Sequence, residues 1–185
     1  MASVLKVDTL QDTSGGALSF GKILQVKATY NTDFVSQSVS ANSPTNMTNM
    51  SVSITPSSTS SKILVQAQWF GEISNQTYIY NSMFGFKRGT TLIGQPTSTG
   101  SSVAGVIGIQ GASINYQSDV ASTGEQLFMQ YLDSPSTTSA TTYYTFWTCQ
   151  SAATIKSGGT YNWTTSRTTS YERGTYGMIA WEIAG

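Results

Sequence analysis

The sequence predicts an all-β protein, an antiparallel β-sandwich of the jelly-roll type. Short segments in which apolar and polar residues alternate recur along most of the chain, and a period of two is typical of half-buried strands. Turn signals separate these segments roughly every 8–12 residues, and no convincing amphipathic helix interrupts the series. The pattern allows about eight to eleven strands after an N-terminal segment, a number that suits a jelly roll.

The densest apolar material lies between residues 127 and 150, in two predicted strands joined by a Pro- and Ser/Thr-rich turn. The two faces of the first strand carry Leu127, Met129 and Tyr131 on one side and Phe128 and Leu132 on the other. The faces of the second strand carry Tyr143 and Trp147, opposite Tyr144 and Phe146. Because both strands are apolar on both faces, we expect a second sheet or a neighbouring subunit to cover them.

Residues 1–21 form a segment of their own before the sandwich module of residues 22–185. Four apolar residues stand close together in this segment: Val4, Leu5, Val7 and Leu10. A turn of Asp, hydroxyl and glycine residues follows at 12–16. The segment is too short to bury its own apolar side, so we expect it to dock on another surface.

Four strands are predicted in the first half of the module. Residues 22–30 form a half-buried strand, one face of which holds Leu24, Val26, Ala28 and Tyr30. A second strand covers 33–40, and a polar loop over 41–50 separates it from a third at 51–55, with inward-facing Val52 and Ile54. The fourth, over 61–71, has a common face of Ile63, Val65, Ala67 and Trp69.

The second half continues in the same way. A strand over 78–88, with Phe84 and Phe86 on one face, turns at Gly89 onto a short strand at 91–93. Weaker strands are predicted at 106–109, 114–120, 153–155 and 160–163, and exposed loops at 95–105 and 164–173. The last strand, over 175–184, is expected to turn inward Ile179, Trp181 and Ile183, and outward Met178 and Glu182.

The composition excludes several classes of function. Charged residues make up only 10% of the chain and the net charge is +0, so no cationic patch is available for nucleic acid or an anionic membrane. The absence of His removes Ser-His-Asp and Cys-His pairs and imidazole metal sites. The one cysteine, Cys149, allows no internal disulfide and is expected to be a buried, inert thiol. No apolar run approaches the ~20 residues of a membrane span, and no signal peptide opens the chain.

We therefore expect no cofactor, no metal and no enzymatic activity. The chemistry that the composition leaves open is glycoside cleavage by two carboxyl groups, for which Asp119 with Glu125 and Asp133 with Glu182 are conceivable pairs. Sequence alone does not place either pair at the separation of about 5–9 Å that such a reaction needs.

Two turns of the chain resemble each other, at residues 54–60 and 132–139, and each ends one strand and opens another. They are either duplicated loops at one rim of the sandwich or two turns that look alike because Ser and Thr supply roughly 30% of the residues. Polar but uncharged strand faces also suit a subunit that associates along its length, so we expect a homo-oligomer.

An aromatic cluster falls in or beside a predicted loop near the C-terminus: Tyr161, Asn162, Trp163, Arg167 and Tyr171. Sugars bind proteins through flat aromatic faces with amide and hydroxyl partners nearby. The cluster is therefore a candidate glycan or receptor site. The alternative is that Trp163 packs against the sandwich or a neighbouring subunit.

Several stretches resemble virion proteins of tailed phages of marine and freshwater bacteria, cyanophages in particular. The opening ASVLKVDTLQDTSGG resembles their short N-terminal attachment segment. A fibre-tip or head-fibre module of the same phages is similar in GKILQVKATYNT, SVSITPSSTSSKILVQA, LDSPSTTSATTYYTFW and RGTYGMIAWEIA. The resemblance implies a trimeric β-sandwich carried on a virion. The long repetitive shaft of typical tail fibres is missing, which favours a short fibre, a spike or a capsid decoration.

We expect a non-enzymatic virion structural protein that is assembled in the host cytoplasm, forms a homotrimer and contacts a host surface glycan through its loops. Docking on another virion protein would use Val4, Leu5, Val7 and Leu10. One alternative is a capsid decoration, or cement, protein that binds no receptor. Another is a lectin-like carbohydrate-binding module that has no connection with a virion.

Overall fold

The computed structural model describes residues 22–73, 81–97, 104–108, 124–160 and 172–185. The first six strands in these ranges are β1 (Ile23–Asn31), β2 (Val35–Val39), β3 (Thr45–Ile54), β4 (Lys62–Ile73), β5 (Ser82–Arg88) and β6 (Thr91–Ile93). The remaining five are β7 (Ile107–Gly108), β8 (Glu125–Asp133), β9 (Thr141–Cys149), β10 (Ala153–Ser157) and β11 (Tyr176–Ile183). The described residues contain no helix long and apolar enough to cross a lipid bilayer.

The strands form two antiparallel sheets that pack face to face. The front sheet has the order β1-β11-β4-β8, and β10 and β2 extend it. Because β8 pairs with β4 as far as Gly71, β10 lies on the other edge of β4, beyond the end of β11. The back sheet has the order β3-β9-β5-β6, and β7 adds two residues to β5.

Eight of these strands are wound as a jelly roll. When β1, β3, β4, β5, β6, β8, β9 and β11 are numbered 1 to 8, strand 1 pairs with 8, 2 with 7, 3 with 6 and 4 with 5. This is one long hairpin, bent at its middle and wrapped so that successive pairs contribute to two facing sheets. The predicted fold class is confirmed.

The core lies between the two sheets and uses the predicted faces of the central strands. The front sheet contributes Ile63, Val65, Ala67, Trp69, Leu127 and Met129, and the back sheet contributes Phe84, Phe86, Tyr143 and Trp147. The rings of Trp69 and Phe84 meet across the core, with centroids 5.3 Å apart. Cys149 is buried and forms no disulfide, as predicted.

One predicted loop is a strand. Residues 45–50 were expected within the polar loop at 41–50, but they form the first half of β3, and Met47 and Met50 are buried in the core. Asn49 adopts a φ of 63°, and the ladder to β9 is irregular at this point. The irregularity shifts the alternation of side chains, so a strict period of two does not reveal this part of the strand.

The prediction for the faces of the last strand is wrong. In β11 the buried, inward side chains include Met178 and Glu182, and the outward ones are Ile179, Trp181 and Ile183. Placing the charged residue on the outside fails here because the inward carboxylate of Glu182 has its own hydrogen-bond donors.

The expected alternation of β1 is present, but its buried side is the polar one. Gln25 Nε2, Thr29 Oγ1 and Asn31 Nδ2 donate to backbone carbonyls along β3 and the turn after it, at 2.6–2.7 Å. The apolar face of Leu24, Val26, Ala28 and Tyr30 is exposed to solvent. The edge strand is therefore fixed to the back sheet by hydrogen bonds from its side chains.

The two similar turns lie side by side at one rim of the sandwich, here called the turn rim. One turn crosses from β3 to β4 and the other from β8 to β9, and Ile54 pairs with Thr141 while Ile63 pairs with Asp133. The Ala184 amide donates to the Lys22 carbonyl at 2.8 Å. The start of the described chain and its C-terminus therefore lie at the same rim.

Asp133, at the start of the second turn, connects the two sheets. Arg88 Nη1 donates to both of its carboxylate oxygens at 3.0 and 2.9 Å, and the Tyr143 hydroxyl donates to Oδ2 at 2.7 Å. Burial, and then the hydrogen bond to Asp133, raise the pKa of Tyr143, so the hydroxyl remains a donor. Since Arg88 and Tyr143 belong to the back sheet, this group bridges the core at the turn rim.

The substitution Asp133→Ala should destabilise the fold, because it leaves the Tyr143 hydroxyl and the Arg88 guanidinium without their acceptor. We expect the free energy of unfolding to fall by about 3 kcal/mol. Urea denaturation followed by tryptophan fluorescence measures this change. Glu172→Ala, which removes an exposed acid, is the control, and equal losses in the two variants would contradict the bridging role.

The predicted strand at 114–120 and nearly all of the one at 160–163 lie outside the described residues, as does the N-terminal segment 1–21.

Candidate binding face

The candidate site is the outer face of the four strands β1, β11, β4 and β8. Strand register aligns its side chains in rows that run across the sheet. One row is Val26, Trp181, Leu64 and Leu132, the next is Ala28, Ile179, Gln66 and Gln130, and the third is Tyr30, Gly177, Gln68 and Phe128. The pairing of Phe70 with Gln126 adds a shorter fourth row.

The part of this face nearest the turn rim is apolar, and we call it the apolar zone. It consists of Leu24, Val26, Leu64, Leu132, Ile179, Trp181 and Ile183. Val26 is 44% exposed and Leu132 47% exposed, although both sit on well-paired strands. Large apolar side chains that remain exposed on a rigid sheet mark an interaction surface.

A row of hydrogen-bonded side chains borders the apolar zone. Trp181 Nε1 donates to Gln66 Oε1 at 2.9 Å, and Gln66 Nε2 donates to Gln130 Oε1 at 3.3 Å. This chain crosses β11, β4 and β8. It fixes the orientation of both amides and of the Trp181 ring.

Beyond this row the face opens into a groove with a volume of about 550 Å³. The side chains that line it on the sheet are Gln68, Phe70, Gln126 and Phe128, and the segment 173–175 forms one wall. We call this the Gln–Phe groove. Phe128 is 57% exposed, so much of its ring faces solvent.

Two glycines and one arginine fix the walls of the groove. A Cβ added to Gly124 or to Gly174 would collide with the Phe70 ring, so the absence of a side chain at both positions makes room for the ring. Arg173 Nη2 donates to the Thr32 carbonyl at 2.9 Å, and its backbone forms a bridge with Gly159. The wall is therefore held by contacts outside the groove.

Charged side chains are confined to the ends of this face. Along the outer side of β4 they occur only at Lys62 and Glu72, and Leu64, Gln66, Gln68 and Phe70 lie between them. The outward positions of β8 and β11 carry no charge at all. Two such faces can therefore come together without burying an ion or opposing like charges.

The carboxylate of Glu182 lies on the inner face of the front sheet, behind the apolar zone. Its Oε1 accepts from the Ser57 amide, the Ser57 hydroxyl and the Ser61 hydroxyl at 2.6–2.7 Å, and its Oε2 accepts from Gln25 Nε2 at 2.6 Å. Burial by itself would raise the pKa of Glu182, but these hydrogen bonds outweigh burial and lower the pKa to about 2. The group is ionised at neutral pH and joins β11 to β1 and to the first turn.

Glu125 lies at the other end of the front sheet, in an environment that favours the protonated carboxyl group. It is buried, and its Oε2 has no hydrogen-bond partner among the described residues. Burial, and then the charge of Glu72, raise the pKa of Glu125 to about 8. The carboxyl group is therefore mostly protonated at neutral pH.

The conceivable catalytic carboxylates are only partly described. Asp133 and Glu182 are both buried and occupied by hydrogen bonds from the protein, and Asp119 lies outside the described residues. No group of three or more Asp, Glu, Cys or His side chains that could hold a metal ion occurs in the described ranges.

The site residues predicted from the sequence cannot be located on this face. The docking residues Val4, Leu5, Val7 and Leu10 lie outside the described ranges, and so do Tyr161, Asn162, Trp163, Arg167 and Tyr171. The groove residues were not predicted as a site. The sequence contains part of the evidence for this face, since Phe128 and Leu132 stand on the second apolar face of the predicted strand. It does not show which strand pairs with this one.

Comparison with known proteins identifies no relative: no family model matches the chain, and no curated protein matches it either. The function proposed below depends on the geometry of this face and on the resemblance noted from the sequence.

The two buried glutamates predict a stability maximum near pH 4.5. The unfolded pKa of Glu125 is near 4.5 and the folded pKa is about 8, so its stabilising contribution is complete below pH 4.5 and decreases as the pH rises to 8. Glu182, with a folded pKa of about 2, contributes above pH 4.5 and loses this contribution as the pH falls towards 2.

The variant Glu125→Gln should remove the decline between pH 4.5 and 8 and leave the acid limb unchanged. Urea unfolding at half-unit pH intervals gives both limbs. Parallel curves for the wild type and Glu125→Gln across pH 4.5 to 8 would contradict the raised pKa.

Proposed function

We propose that this chain is a non-enzymatic structural protein of a tailed-phage virion, a short fibre or spike whose sandwich assembles with identical copies through the apolar zone. The observation that carries the proposal is the exposure of an uncharged apolar zone on four adjacent strands of one hydrogen-bonded sheet. The resemblance of the sequence supports the virion location and three copies per assembly.

The area of the face suits a contact between subunits. The apolar zone and its bordering amide row span four strands about 4.8 Å apart and about six residues at 3.4 Å each, roughly 400 Å² in projection. Two partners would bury about 800 Å² in projection, and more in accessible area because side chains stand above the sheet. This approaches the lower range of specific interfaces.

A second copy of the chain is the occupant that the chemistry favours. A charged face would have to bury its ions against the neighbouring copy, at a cost in desolvation. This face has none between Lys62 and Glu72 along β4. The amides of Gln66 and Gln130 at its border can hydrogen-bond across a symmetry axis.

The position of Lys22 supports attachment through the N-terminal segment. Lys22 accepts a hydrogen bond from Ala184 at the turn rim, so residues 1–21 join the module at an end of the sheet. Val4, Leu5, Val7 and Leu10 would then bind another virion protein, by adding a strand to that partner.

The substitution Leu132→Glu should disrupt the assembly, because it buries an unpaired charge from each copy in an apolar contact. We expect the wild type to sediment as an oligomer, with the mass of three chains, and the variant to shift to the monomer mass at micromolar concentration. Leu92→Glu, at an exposed leucine of the back sheet, is the matched control. A monomeric wild type, or an unchanged mass for Leu132→Glu, would refute this use of the apolar zone.

Deletion of residues 1–21 should leave a folded module with the same number of subunits that no longer joins virus particles. Mixing tagged full-length and truncated protein with particles that lack the protein, followed by sedimentation and blotting, measures incorporation. Incorporation of the truncated protein would show that another part of the chain makes the attachment.

A further inference from the structure

We propose that the Gln–Phe groove is a carbohydrate site that binds a neutral pyranose. Phe128 offers an exposed aromatic face to the C–H face of the sugar ring, and the amides of Gln68 and Gln126 hydrogen-bond to its hydroxyls. The groove lies on the part of the face that the apolar zone does not use, so the inference does not rest on the proposed assembly.

The arrangement of the four side chains supports this assignment. Gln68 lies directly opposite Phe128, and Phe70 lies directly opposite Gln126. The two aromatic rings and the two amides therefore occupy opposite diagonals of one square on the sheet. Directly opposite neighbours in a sheet are about 5 Å apart, so each ring has an amide close enough to bind the same small ring-shaped ligand.

The groove is also built before a ligand arrives. All four residues stand on β4 and β8, which pair without a break from Ile63 and Asp133 to Gly71 and Glu125. Gly124 and Gly174 leave the space that Phe70 fills, and the contacts of Arg173 hold the facing wall. Little backbone ordering would therefore be needed on binding, which helps a weakly interacting ligand such as a single sugar to be retained.

The chemistry of the lining favours a neutral sugar over other ligands. An amide donates and accepts hydrogen bonds, as a sugar hydroxyl does. In the part of the chain that the structure describes, Arg173 is the one cation among the lining residues, too few for a nucleic acid or a polyphosphate. The volume of about 550 Å³ falls within the range of small-ligand sites.

The same lining predicts binding without cleavage. Glycoside hydrolysis needs two carboxyl groups on either side of the bond, and among the described residues the side chains that line the groove include none. Amides occupy the central positions instead. Where several copies are held on one particle, weak single contacts of this kind add up to firm attachment.

Saturation-transfer difference NMR on the full-length protein tests the site. The probes are the methyl glycosides of glucose, galactose, mannose, rhamnose and N-acetylglucosamine, each at millimolar concentration. We expect ring protons of at least one probe to receive saturation. Phe128→Ala should weaken that binding about tenfold or more, since a central aromatic anchor is lost.

Two further variants separate a sugar site from a merely apolar depression. Gln68→Leu and Gln126→Leu keep the size of the side chain and remove its hydrogen bonds, so each should weaken binding about tenfold, whereas a non-polar ligand would bind them more tightly. Phe128→Tyr should retain binding because the aromatic face is kept. Leu92→Ala, on the back sheet, should bind as the wild type does.

Two results would overturn the inference. One is the absence of saturation transfer to every probe with folded wild-type protein. The other is binding that persists unchanged in Phe128→Ala and in Gln68→Leu, which would place the sugar elsewhere. Neither result bears on the oligomeric mass, so the proposed assembly and the proposed sugar site stand or fall separately.

Discussion

The inward side chain of Glu182 determines the character of the whole front sheet. A buried carboxylate is costly unless donors replace the water it loses, and the turn between β3 and β4 supplies most of these donors through Ser57 and Ser61. Because side chains alternate along a strand, an inward Glu182 places Trp181 on the outside, together with Ile179 and Ile183. A polar contact at one rim thus produces an apolar surface on the outside of the sandwich.

Much of the fold could be predicted from the sequence because the central strands obey simple alternation. β4 buries Val65 and Trp69 as expected, and the predicted turn at Gly89, with a φ of 58°, joins β5 to β6. In β9, apolar groups on both faces correctly indicated cover on both sides, since Tyr143 and Phe146 are both fully buried. In these strands the burial of side chains, the period of two and the turn-forming residues all indicate the same structure.

The rest required information that a single strand does not contain. The sequence of β11 alternates cleanly, but the hydrogen bonds that Glu182 accepts from Ser57 and Ser61, more than a hundred residues away, favour its burial on the inner side. The positive φ of Asn49 interrupts the alternation of side chains, so the sequence pattern does not reveal the first half of β3. The groove depends on Gln68 and Phe128 standing opposite each other, and this register is set by the pairing of two distant strands rather than by either one.

The direction of the strands has a mechanical consequence. The chain enters β1 at Lys22 on the turn rim, and the groove lies towards the opposite end of β4 and β8. A force that pulls on the residues before Lys22 and is resisted by a ligand in the groove acts parallel to the strands. It is transmitted from β1 through β11 to β4. Inter-strand hydrogen bonds lie perpendicular to that load and carry it simultaneously in shear, instead of opening one by one from an end. A particle tethered in this way would withstand drag through the geometry of its ladders.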